Sequence, residues 1–173
     1  MEFLKNQQNS IIQQIEETIE PNARFGCDAW GCFAEDNNLE DKSGGQMRVL
    51  QNGEVIEKGA CSFTLIRNGV LSAERAQTIR ARQQQNDTKV LLQAGDRYAA
   101  SALSMVLHSK SPHVPTFRSD VRVFLVESSS DHGSSSSSSA WMGGGADLTP
   151  YYLYQKDVRD FHHMYYNLCE TYN

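Results

Sequence analysis

Apolar and polar positions change period several times along the 173-residue chain, and each change marks a predicted element. Ile11, Ile12, Ile15 and Ile19 recur at helical spacing, with Asn9 or Ser10 placed to cap the helix and Pro21 to end it. Residues 24–33 suit a strand that offers Phe25, Cys27, Ala29 and Trp30 to a core, and the polar run 35–45 reads as a loop. Met47 to Leu50 and Val55 to Lys58 flank Asn52-Gly53, the favoured centre of a tight primed hairpin turn. Gly59 separates them from a third strand over 61–66, and Ser72 is placed to cap a helix running to about Gln85. Residues 102–108 form the next strand, Pro112 and Pro115 enforce an extended connection, and residues 121–126 alternate as another strand. The serine tract at 128–139 has no apolar surface to bury and predicts a mobile loop. Leu148, Pro150, Tyr151 and Tyr152 predict a buried strand after the three glycines 143–145. From about Asp157 a final helix puts Val158, Phe161, His162, Tyr165 and Leu168 on one stripe.

Consecutive strands with short links favour antiparallel pairing, so the expected class is α+β: an antiparallel β-sheet flanked by helices, in a single domain spanning 1–173. Hydrophobic and charged contents of 39% and 21% fit one globular core. A net charge of -5 speaks against nucleic acid as a partner. No run approaches the roughly 18 apolar residues of a membrane span, and the N-terminal residues resemble neither a signal nor a transit peptide, so a cytoplasmic location is expected. Cys27, Cys32, Cys61 and Cys169 lack zinc-site spacing and read as buried free thiols.

Candidate chemistry gathers in three stretches. Asp147 follows the three glycines, where side-chain-free backbone lets a flat ligand approach a carboxylate able to pair with ring N–H groups. Ser104, His108, Pro112, His113, Pro115 and Thr116 lead to Arg122, whose planar guanidinium matches a carboxylate. The hairpin carries Gly44, Gly45 and Arg48. His108 and His162 are weak metal candidates, and no third ligand stands at defined spacing, so no metal is expected.

In this order the stretches resemble the oxygen-dependent coproporphyrinogen III oxidases. Residues 143–150 are similar to that family's Gly-Gly-Gly-x-Asp-Leu-Thr-Pro signature, residues 104–122 to its Val-Ser-x-Val-x-His and Pro-Thr segment, and residues 44–58 to its Gly-Gly-x-x-Arg-Val-Leu hairpin. The resemblance implies a flat antiparallel sheet in a homodimer, with the site in a cleft over the sheet. It also implies oxidative decarboxylation of two propionates of coproporphyrinogen III to give protoporphyrinogen IX. Dioxygen would be the co-substrate, without cofactor or redox metal. By motif position Asp147 would engage pyrrole N–H groups, and Arg122, Arg48 and Arg118 would hold propionates. Ser104, Asp120, the backbone around Val121, Gly144 and Gly145 would complete the pocket. Two positions depart: Arg118 stands where the family has its proton-donating histidine, and Asp120 where it has asparagine. His113, five residues upstream of Arg118, is the candidate substitute. The chain is shorter than the family's members, so an unpaired sheet edge covered by another chain is expected. A tetrapyrrole-binding module without turnover and a structural subunit are the alternatives.

Overall fold

The computed structural model describes residues 2–34, 43–83, 92–128 and 137–172. Strands β1 (Gly26–Gly31), β2 (Gly44–Gln51), β3 (Ile56–Val70), β4 (Arg97–Ser109), β5 (Thr116–Ser128) and β6 (Ser137–Thr149) form one six-stranded meander, every neighbouring pair antiparallel. Helices α1 (Glu2–Thr18), α2 (Ala73–Gln83) and α3 (Gln155–Thr171) precede, interrupt and follow it. The expected α+β class and antiparallel sheet are what the chain adopts. Among the described residues no helix is long and apolar enough to cross a membrane.

Helix α1 covers one face of the sheet. Leu4, Ile12 and Ile15 pack with Phe25, Leu50, Cys61, Phe63, Leu65 and Leu103 in the main core. The helix begins at Glu2, a full two turns before the predicted cap, because Gln8 occupies a core position. Fully buried, Gln8 donates from Nε2 to the carbonyls of Gln46 at 2.9 Å and Cys61 at 2.8 Å, so a polar residue interrupts the apolar period without exposing the helix.

Four corrections follow from long strands. Residues 56–58 and 61–66 are one strand, β3, since Gly59 sits inside the ladder, and Val55 falls in the link before it. The hairpin link is longer than a two-residue primed turn. Asn52 has φ of 58° but Gly53 is not in the left-handed region, and Asn52 N–H reaches Glu57 O at 2.8 Å. The buried Glu20 carboxylate organises this link: it accepts N–H bonds from Glu54 (2.8 Å), Val55 (2.7 Å) and Ile56 (2.5 Å). A Cβ at Gly53 would stand 2.6 Å from Glu20 Oε1. Ser137, Ser138 and Ser139 pair with Ser128, Glu127 and Val126 in the β5–β6 ladder, so the ends of the serine tract are strand; residues 129–136 lie outside the described residues. Finally, the glycines are inside β6 rather than before a strand, and Pro150 ends it, leaving Tyr151 and Tyr152 exposed.

Only Cys61 is buried; Cys27 and Cys169 are exposed and Cys32 is half-buried, so the expected set of four buried thiols reduces to one. Phe25 enters the core while Cys27 and Trp30 face solvent. Ser72 caps α2 as expected, its Oγ accepting the Arg75 N–H at 3.2 Å. Helix α3 keeps its apolar stripe, yet none of its residues is buried.

Candidate functional site over the open sheet face

Directly opposed residues of antiparallel strands project to the same face. The register therefore sorts the chemistry. One row runs Asp28, Met47, Ser62, Ser104, Asp120, Gly145 across all six strands. On either side lie the rows ending in Arg122 with Gly143 and in Arg118 with Asp147. These rows occupy the face opposite α1. Further along β5 the same face turns apolar: Phe124 and Val126 are buried with Leu71, Leu92, Ile79 and Trp141, and Arg75 of α2 lies over the rings of Tyr98 and Phe124. Thus α2 closes one end of the face and the charged rows stay accessible.

Arg122 donates from Nε to Asp120 Oδ2 at 3.1 Å and forks a second contact from Nη2 to the same oxygen. Arg118 reaches Asp120 Oδ1 at 3.7 Å and Asp147 Oδ2 at 3.3 Å, while Thr149 Oγ1 donates to Asp147 Oδ1 at 3.2 Å. The side chains of Arg118, Arg122 and Asp147 are 56%, 61% and 50% exposed, and that of Asp120 only 12%. Two cations and two anions balance across neighbouring strands, with Asp120 as the sheltered hub.

The glycines divide between two jobs. A Cβ at Gly145 would meet nothing within 4 Å, and one at Gly143 only Arg122 Cγ at 4.0 Å, so both leave bare backbone beside the charges. Gly144 points to the other face, where a Cβ would fall 2.4 Å from the Asp120 carbonyl oxygen. Gly144 permits close strand approach; its neighbours clear the floor.

Several expected site residues are placed elsewhere. Arg48 pairs with Cys61 in the register and lies on the α1 face, its Nε buried and without a hydrogen-bond partner among the described residues. It is therefore separated from Arg118 and Arg122 by the thickness of the sheet. The period of two along β2 decides this, because the motif alone does not say which face an arginine takes. Cys61 beside it has its thiol pushed up to about 11, chiefly by burial, with the Arg48 charge opposing. The Val121 side chain also projects to the α1 side, opposite Gly144. His113 is bound at the β4–β5 connection: Nδ1 lies 2.7 Å from Tyr154 Oη and the ring stacks on Tyr152 at 5.1 Å. The two tyrosines as partners of His113, and Thr149 as a partner of Asp147, were not anticipated; the two-residue spacing of Thr149 after Asp147 was the available signal.

His108 lies on β4 with Nδ1 3.3 Å from Thr116 Oγ1, and His162 lines a cavity of about 190 Å³ with Pro115, Leu148, Tyr154, Val158 and Phe161. Among the described residues no three His, Cys, Asp or Glu side chains gather to hold a metal ion.

The open face ends in paired arginines and carboxylates on β5 and β6. The model of the coproporphyrinogen III oxidase family matches residues 1–173. The chain is 28% identical over 172 residues to the oxygen-dependent coproporphyrinogen-III oxidase of Francisella tularensis subsp. mediasiatica (strain FSC147), an alignment that covers 99% of this chain and 50% of that relative. The chain therefore spans about half the length of the relative it matches, and by the family match over its whole length it belongs to the coproporphyrinogen III oxidase family.

Proposed function

We propose that this chain supplies the sheet half of an oxygen-dependent coproporphyrinogen III oxidase site, in which Arg122 and Arg118 hold propionates and Asp147 engages pyrrole N–H groups. The observation that carries this reading is the Arg118, Asp120, Arg122 and Asp147 cluster beside the bare backbone of Gly143 and Gly145. In the reaction each of two propionates loses carbon dioxide, and two protons and two electrons pass from it to one dioxygen, leaving a vinyl group and hydrogen peroxide. The protein's part is positioning: guanidiniums fix the acids, and a carboxylate stabilises the pyrrole N–H that becomes more acidic as the ring system reacts. Dioxygen is the only co-reactant the scheme needs, and a dimer would cover the sheet edge at β6.

Arg118 favours a second reading, binding without turnover. It holds Asp147 and, as a permanently charged group, cannot donate a proton as a histidine does. Anaerobic titration with coproporphyrinogen III, then admission of oxygen and mass analysis, separates the two. Loss of two carbon dioxide units by the parent chain, abolished in Asp147→Ala, supports the enzyme. Binding without mass loss supports the binding module, and no binding refutes both. Within this test Arg122→Ala weakens binding roughly ten-fold, the worth of one charge-assisted contact. Arg48→Ala leaves binding within two-fold, as expected of a residue on the far face.

A further inference from the structure

Resting on the tetrapyrrole reading above, we infer that the ligand site extends across the sheet to β1 and β2, where Trp30 and Met47 form its far wall. Both side chains stand on the open face, in the same two rows as Arg122 and Asp120. Both are large, apolar and left uncovered, at 46% and 41% exposed. Trp30 is nevertheless held: a Cβ at Gly45 would lie 2.6 Å from its Cζ2, so the indole rests against the Gly45 backbone, which a side chain there would displace. Between this wall and Arg122 and Asp120 the two rows contain only Gly45, Ser62, Thr64, Ala102 and Ser104. Small side chains between two raised borders make a shallow tray. From β2 to β5 is three strand spacings, about 14 Å at roughly 4.8 Å each, the scale of a four-pyrrole macrocycle with its acidic arms.

The two borders differ in chemistry, which orients the ligand. Propionates take the arginine border, while methyl groups and a pyrrole face meet Trp30 and the Met47 thioether, contacts that gain from dispersion and ring polarity. The Ser62 and Ser104 hydroxyls lie beneath the ring, where pyrrole N–H groups can be accepted. Trp30 and Met47 thus determine which edge of the macrocycle lies away from the charges, and so which propionates reach Arg122.

The test is a visible-absorbance titration with coproporphyrin III, the air-stable oxidised macrocycle, on the parent chain and on Trp30→Ala, Trp30→Phe, Ser62→Leu and Met142→Ser. Met142 is an 80% exposed residue on the opposite face and serves as the control. Expected are a roughly ten-fold weaker Kd for Trp30→Ala, partial recovery in Trp30→Phe, loss of binding in Ser62→Leu because the added bulk fills the tray, and no change for Met142→Ser. Urea denaturation of each variant checks folding; should Trp30→Ala unfold, the Ser62→Leu result decides. Parent-like affinity in Trp30→Ala and Ser62→Leu, with the parent binding, overturns the extended tray and leaves the oxidase reading standing. Failure of the parent to bind removes both.

Discussion

Gly144 and Gly145 are adjacent and chemically identical, yet alanine at each should have opposite consequences. At Gly144 the new methyl would stand 2.4 Å from the Asp120 carbonyl oxygen and 3.3 Å from Val121 Cα, both backbone atoms that cannot rotate away. Relief requires β6 to slide from β5, and overpacking of this kind costs about 1–3 kcal/mol. For a chain of this size that is a fall in Tm of roughly 2–12 °C. The shift would also displace the Gly143 and Gly145 backbone relative to Arg122 and Asp120, so binding should weaken as well. At Gly145 the methyl meets nothing within 4 Å, and replacing a strand glycine recovers up to about 0.5–1 kcal/mol of backbone entropy. Gly145→Ala should therefore be as stable as the parent or slightly more so, while its methyl lifts a flat ligand off the floor and weakens binding several-fold. Urea denaturation followed by circular dichroism measures the first quantity, and coproporphyrin III titration the second. An unchanged denaturation midpoint in Gly144→Ala would show that the β5–β6 approach is looser than described. Parent-like affinity in Gly145→Ala would show that the ligand does not rest on this shelf.

Two further expectations concern the fold that carries the site. Burial acts to raise the Glu20 pKa, but the N–H groups of Ile56, Glu54 and Val55, with Lys110 nearby, hold it below its ordinary 4.5. A lowered folded value means the contribution is complete above pH 4.5 and is lost as the pH falls through the folded pKa. Glu20→Gln should thus cost about 1.5–3 kcal/mol at pH 7, with the gap to the parent closing in acid; a gap independent of pH would be the contrary result in urea denaturation across that range. Cys61, buried and with its thiol raised to about 11, should resist iodoacetamide at pH 8 in the native protein while Cys27 and Cys169 are alkylated, which peptide mass mapping reads directly. Rapid native labelling of Cys61 would mean that α1 opens readily from the sheet.

How much was legible in the sequence follows from which interactions are local. The strands and the existence of all three helices follow from period and turn residues. Element lengths do not, because Gly59 and the glycines 143–145 are tolerated inside ladders whose neighbours hold them. Gln8 and Glu20 show the same limit: each is a buried polar group that bonds to backbone far along the chain, 53 residues away for Gln8 and Cys61, 36 for Glu20 and Ile56. By register Ser104, Asp120, Arg122, Asp147 and Gly145 share one face, while Arg48, Gly144 and the Val121 side chain take the other and His113 lies at the β4–β5 connection. For Arg48 the face depends on the parity of a hairpin whose turn is set by Glu20; for His113 the position depends on the tyrosines leading into α3. Helix α3 carries the apolar stripe its period announces, yet none of its residues is buried.

The cluster's own ion pairs indicate how it could accept an acid without rebuilding. An exposed pair contributes about 0–1 kcal/mol, so the link between the half-exposed Arg118 and Asp147 is inexpensive to break. Asp120 is different: with 12% of its side chain exposed and two contacts from Arg122, it keeps that guanidinium aimed while the outer edge of the fork stays in solvent. A propionate arriving at Arg118 would exchange one carboxylate for another at that guanidinium and release Asp147 Oδ2 toward the ring, leaving the cluster with one anion more than it has cations. The arginine that stands at the histidine position would then couple acid binding at one border of the tray to the freeing of a carboxylate over its floor. Neutralising Asp147 as Asp147→Asn would test this coupling: acid binding at Arg118 should tighten, because its competitor loses its charge, while contact with the pyrrole N–H groups weakens.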